Sequence, residues 1–205
     1  MTTSTYAPPG PIGQAFYENS DPISVCMGPV AGGKTTLGLQ RGVLMAHLWP
    51  ETAPGLRKVK FTIIRRLYKD LEKTTMASWN QWYPRTMGNW RGAAGDPATH
   101  DLVMRHASGT GRIELRVEFV ALGELRIEEA LRSYETSYIF VDEVYTAAEN
   151  TLSFCYQRAG RYPRETVSIN PKLVWGSCNA PPEDNWIVRD LSLIHISEPT
   201  RLRRI

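Results

Sequence analysis

Apolar residues along this chain gather in short dense runs that alternate with longer segments of helical spacing. Pro22–Gly28 (PISVCMG) predicts a short buried strand, and Lys34–Leu48 places its apolar residues on one face of a helix. Val59–Arg65 (VKFTIIR) predicts a second strand, and Leu67–Tyr83 a largely helical stretch. Between Pro84 and Thr110 repeated glycines break the periodicity, so an irregular excursion is expected there. Glu114–Leu122 alternates as a strand does, Ile127–Glu135 predicts a short helix, and Ser137–Glu143 predicts a buried strand ending in two acids. Ala147–Gly160 predicts a helix closed by glycine, and Lys172–Asn179 a last strand. Strands alternating with helical segments build βαβ units, hence an α/β fold with a mainly parallel sheet flanked by helices. Residues 1–21, rich in Pro, Gly and Ser, predict an irregular lead-in, and no internal repeat interrupts the pattern.

Composition narrows this picture in three places. The 205 residues, 42% apolar and 22% charged, suit one water-exposed α/β domain. No run approaches the roughly 18 apolar residues of a membrane span, and the N-terminus lacks the basic start and apolar core of a secretory signal. Cys26, Cys155 and Cys178 are too scattered for a zinc site and fit a reduced protein, and His47, His100, His106 and His195 show no ligand spacing. The end of the chain stands apart. Leu191–Arg201 (LSLIHISEPTR) resembles the translation of a transposon-end adapter used in sequencing libraries, so residues 191–205 are expected to be foreign and the native domain to cover 22–190. Removing the tail's three arginines and Glu198 from a net charge of +3 leaves +1. Any nucleic-acid contact must then come from local patches rather than from global charge.

The chemistry concentrates in "GPVAGGKTT", which spans Gly28, Pro29, Val30, Ala31, Gly32, Gly33, Lys34, Thr35 and Thr36. It matches the phosphate-binding pattern G-x-x-x-x-G-K-[ST], with a strand before it and a helix after it. Glycines let backbone N–H groups turn inward toward phosphate oxygens, and the helix N-terminus adds its positive dipole end. Lys34 is then expected on the β- and γ-phosphates of ATP, and the Thr35 hydroxyl on Mg²⁺. The strand "YIFVDE" supplies acids in a second place: Asp142 to hold Mg²⁺ and Glu143 to polarise water. A neighbouring strand ends in "WGSCN", where Ser177 and Asn179 are placed to sense the γ-phosphate. Gln14, upstream of the loop, is a candidate adenine contact. Arg65 and Arg66 follow a strand and read as solvated, with phosphate or DNA contact as the alternative. Trp79 and Trp82 read as core or interface residues.

Taken together, these segments resemble the ATPase portion of the large terminase subunit of tailed bacteriophages. The likeness runs over residues 13–187, through "GQAFYENSDPISVCMGPVAGGKTT", "IIRRLYKDLEKTTMASWNQWYP", "VEFVAL", "LRSYETSYIFVDEV", "QRAGRYP" and "WGSCNAPPEDNWI". It implies a RecA-like (ASCE) P-loop NTPase. The implied role is a motor that uses ATP and Mg²⁺ to drive double-stranded DNA into an empty capsid in the host cytoplasm. The implied partners are a portal protein, a small terminase subunit and further copies in a ring. It also implies that Arg132, in "LRSYE", reaches a neighbouring subunit as an arginine finger, although Ser133 stands where such turns often carry glycine. A nuclease domain that such subunits carry has no counterpart in this sequence. Two alternatives share the P-loop and acidic strand: a helicase-like or DNA-repair ATPase, and a nucleotide-dependent assembly module without turnover. The "LEKTTMASWNQWYP" and "GRYP" segments argue against the first and the intact Glu143 against the second.

Overall fold

The computed structural model describes residues 6–92, 97–123 and 125–189. The adapter-like residues 191–205, His195 and the domain end at 190 lie outside that set. Helix α1 (Gly10–Glu18) leads into strand β1 (Ile23–Met27), the phosphate loop and helix α2 (Lys34–Leu48). Strand β2 (Leu56–Arg65) is followed by a continuous helical rod: α3 (Tyr68–Asp70), a π-helical turn (Leu71–Met76) and α4 (Ala77–Trp82). Strands β3 (Asn89–Arg91), β4 (Ala98–Arg105) and β5 (Arg112–Ala121) come next, then helix α5 (Ile127–Ala130) and strand β6 (Tyr138–Asp142). Helix α6 (Thr151–Arg158) and strand β7 (Leu173–Cys178) complete the order.

The seven strands form one sheet in the order β1-β7-β6-β2-β5-β4-β3. Pairs from β1 through β5 are parallel, and β4 pairs antiparallel with both β5 and β3. Both faces of the central strands are covered, which is why they read as continuous apolar runs. In β6, Tyr138 and Phe140 enter the core beneath α2 and α4 with Phe61, Trp79 and Trp175. Ile139 and Val141 enter the opposite core with Leu152 and Cys155 of α6. Among the described residues no helix is long and apolar enough to cross a membrane.

Two expected stretches differ. The lead-in contains α1, whose Pro11 occupies the first turn, where a missing N–H costs nothing, and whose Phe16 is buried. Its anchor is Arg41 of α2, fully buried between the rings of Phe16 and Trp175 at 4.8 and 4.9 Å and donating to the Asn19 carbonyl at 2.7 Å. Burial pulls the Arg41 guanidinium down to about 10. The glycine-rich excursion holds β3 and β4, because alternate residues Ala98, His100 and Leu102 bury one face while the intervening positions stay polar. Its Gly88 and Gly109 serve as left-handed turns beside the strands.

α2 lies so close to the sheet that a Cβ on Gly38 would come within 2.4 Å of the Phe140 ring, and the Gly38 carbonyl accepts from Trp175 Nε1 at 3.0 Å. Phe140 and Trp175 are stacked and fully buried, so neither ring has room to yield. Gly38→Val is expected to cost about 1–3 kcal/mol through overpacking, read as a lower midpoint in chemical denaturation. An unchanged midpoint would show that the helix can lift off the sheet.

Candidate functional site

Four parallel strands, β1, β7, β6 and β2, end at one edge of the sheet, the place where open α/β sheets bind ligands. Register brings their last residues together: Asp142 pairs with Ser177, Met27 with Cys178, and Ile64 with Val141, so Arg65 emerges beside Asp142. From β1 the chain passes into the loop Gly28–Gly33. Ala31 (φ 62°) and Gly33 (φ 72°) adopt left-handed backbone, and a Cβ on Gly33 would meet nothing within 4 Å. α2 begins there with no side-chain cap and no acid in its first turn, so its leading N–H groups lack helical acceptors. Lys34, buried, bends back over the loop and donates to the Pro29 carbonyl at 2.5 Å and to Asn179 Oδ1 at 2.9 Å.

The Asp142 carboxylate, 1% exposed, is the hub. Its Oδ1 accepts from the hydroxyls of Thr35 at 2.9 Å and Ser177 at 2.7 Å. Its Oδ2 accepts from Thr75 Oγ1 at 2.6 Å and from Arg65 Nη1 at 2.8 Å. Arg65 is therefore not the solvated strand-end residue its position in the sequence suggests. Its side chain is 15% exposed and forms an ion pair with a fully buried acid. Arg66, by contrast, is exposed and reaches the Thr146 carbonyl at 3.4 Å.

Glu143 differs sharply from its neighbour. Its backbone is left-handed (φ 55°, ψ 49°), a conformation that strains a residue with a Cβ by roughly 1–3 kcal/mol. Asn179 Nδ2 lies 3.5 Å from Oε1, while among the described residues no protein group donates to the buried Oε2. Burial first, and then the adjacent Asp142 charge, raise its pKa; Arg65, Asn179 and Lys34 oppose that rise. A partnerless buried carboxylate oxygen on a strained turn is poised to accept a proton from a molecule that enters. It faces a cleft of about 320 Å³ bordered by Arg65, Arg66, Asp70 and Asn179.

Thus the structure gathers Lys34, Thr35, Asp142, Glu143, Ser177 and Asn179 into one cluster. It does not bring every candidate there. Gln14 is exposed on α1 and donates to Glu18 of its own helix at 2.5 Å. Arg132 is exposed in the turn after α5, followed by Ser133 in left-handed backbone (φ 58°), the conformation that favours glycine. Trp79 is buried in the core and donates to His100 Nδ1 at 2.9 Å. Trp82 packs edge-on against Tyr6. Thr75 was missed as a site residue. Its signal was the paired threonine in "LEKTTM", which carries no general chemical pattern. Among the described residues no group of three or more His, Cys, Asp or Glu could hold a metal ion, so a cation here would need oxygen atoms from a ligand as well.

A parallel sheet whose first strand opens into a glycine-lysine-threonine loop, with an acid at the tip of a nearby strand, defines a RecA-like P-loop NTPase fold. Among solved structures this fold is similar to that of phage large terminases. A large terminase from a thermophilic bacteriophage superposes with TM-score 0.61 at 13% identity, covering 85% of this chain and 37% of that one. The same protein in complex with ADP gives 0.59 at 14% identity, covering 89% and 39%. Its complex with ATP-γ-S gives 0.57 at 13% identity, covering 91% and 41%. This chain therefore spans about two fifths of the length of those terminases. No family model and no curated protein matches it.

Proposed function

We propose that this chain is the ATP-hydrolysing part of a motor that packages double-stranded viral DNA. The observation that carries this reading is the cluster itself: an uncapped helix N-terminus with Lys34 above it, two hydroxyls and two acids at the end of β6, Asp142 fully hydrogen-bonded and Glu143 touched at one oxygen by Asn179. Those residues fit a nucleoside triphosphate. The loop N–H groups of Gly28–Thr36 and Lys34 would take the β- and γ-phosphates, and Thr35 and Asp142 would hold Mg²⁺, which supplies charge neutralisation on the phosphates when bound. Glu143 orients a water and accepts its proton through Oε2. Asn179 touches both Lys34 and Glu143, and Ser177 touches Asp142, so a change at the phosphates is felt by β7. The likeness to terminases solved with ADP and ATP-γ-S supports nucleotide use. On this reading the working partners are double-stranded DNA, a portal protein, a small terminase subunit and further copies of the chain arranged in a ring, in the host cytoplasm.

The nucleotide part is tested by titrating a fluorescent ATP analogue into the parent and Lys34→Ala. Losing a charge-assisted hydrogen bond to phosphate is expected to weaken binding roughly 10–100-fold. Equal affinity for the two proteins would remove Lys34 from the site and the P-loop reading with it.

A further inference from the structure

The segment "LEKTTM" forms the π-helical turn Leu71–Met76, and the reading above leaves it without a task. Such turns are rare and gather at functional sites. Here the turn sets two consecutive threonines against one arginine: Arg65 Nη1 reaches Thr74 Oγ1 at 2.5 Å and Thr75 Oγ1 at 3.2 Å. Thr74 donates back to the Asp70 carbonyl at 2.6 Å. Thr75, fully buried, donates a hydrogen bond across the site to Asp142 Oδ2 at 2.6 Å. Thr75 accepts from Arg65 and donates to the acid, so its hydroxyl has a single orientation that serves both.

The two oxygens of Asp142 are therefore held differently. Oδ1 is met by Thr35, at the start of α2, and by Ser177, two neutral hydroxyls with no charged donor beside them. Oδ2 is gripped by a charged donor, Arg65, and by the Thr75 hydroxyl that the same arginine holds in place. This asymmetry fixes the plane of the carboxylate and presents Oδ1 to the phosphate loop.

We propose that Thr75 is a positioning residue: by holding Oδ2 it aims Oδ1 of Asp142 at the divalent cation that accompanies the nucleotide. The proposal rests on the ATPase reading of the site and adds the π-turn to it. Outer partners of a ligating carboxylate generally contribute about 10–100-fold in metal affinity. Thr75→Val keeps the shape of the side chain and removes the donor. Thr75→Ser keeps the donor.

The test uses the whole chain and a fluorescent, non-hydrolysed ATP analogue, read first in chelator and then along a Mg²⁺ titration. Thr75→Val is expected to match the parent in chelator, with the Mg²⁺ concentration for half-maximal enhancement raised roughly 10–100-fold. Thr75→Ser should restore the parental value. Thr75→Cys, with its weaker donor, should fall between, and it serves if the valine variant does not fold. A Mg²⁺ midpoint unchanged in Thr75→Val would overturn the proposal while leaving the ATPase reading intact. So would equal losses with and without Mg²⁺, or a serine variant as impaired as valine, because either pattern marks a residue that only supports the fold. Failure of the parent to bind the analogue at all would overturn the ATPase reading itself and this proposal with it.

Discussion

Glu143→Gln is expected to bind nucleotide as the parent does and to hydrolyse it about 10²–10⁴-fold more slowly. The substitution keeps the size and shape of the side chain, so Asn179 retains a neighbour and the left-handed turn is unaltered. What it removes is a proton acceptor. In the parent no described protein group donates to the buried Oε2, and burial together with the Asp142 charge raises the basicity of the carboxylate. An amide in the same place cannot take a proton from water. Single-turnover phosphate release, alongside a binding titration, separates the two effects. Hydrolysis near the parental rate would make Glu143 a turn residue whose strained backbone serves the strand end alone.

Arg132→Ala is expected to have the largest effect, and only where chains meet. The side chain is exposed, no ion pair engages it among the described residues, and the turn that carries it lies four residues before β6. On the proposed ring arrangement, Arg132 acts on a neighbour's phosphates, while Arg65 stays paired with Asp142 of its own chain. Arginines supplied in this way contribute about 10³–10⁵ in rate. Hydrolysis per molecule should therefore rise with protein concentration in the parent and stay flat in Arg132→Ala. Mixing Arg132→Ala with Glu143→Gln should restore activity, since one chain brings the arginine and the other an intact Glu143. A mixture as inactive as its components would remove Arg132 from the reaction.

The alternation of strands and helices was legible because central strands are buried on both faces, and Tyr138–Asp142 reads as apolar for that reason. The phosphate loop and the acid pair were legible because their chemistry demands particular residue types at fixed spacing. α1 was hidden because Pro11 and Gly10 signal disorder by composition, while their positions in a first helical turn make them compatible with order. β3 and β4 were hidden because their glycines lie at turns, and an antiparallel strand with one wet face shows a weaker apolar signal than a central one. That Arg65 and Thr75 reach Asp142 was illegible for another reason. They lie 77 and 67 residues before Asp142, and only the register of β2 beside β6 and the widened turn bring them to it.

The position of β1 has a practical consequence. Among the described residues it pairs with β7 on one side only, which makes it an edge strand, the kind of strand that can template pairing with an extended segment. A peptide adding there would lie along the strand that delivers Gly28 into the phosphate loop. An edge strand and the entrance of the binding loop are thus the same piece of chain, so a substitution at one is also a substitution beside the other. Lysine or proline introduced into β1 to block such pairing is therefore also a change beside the phosphate loop.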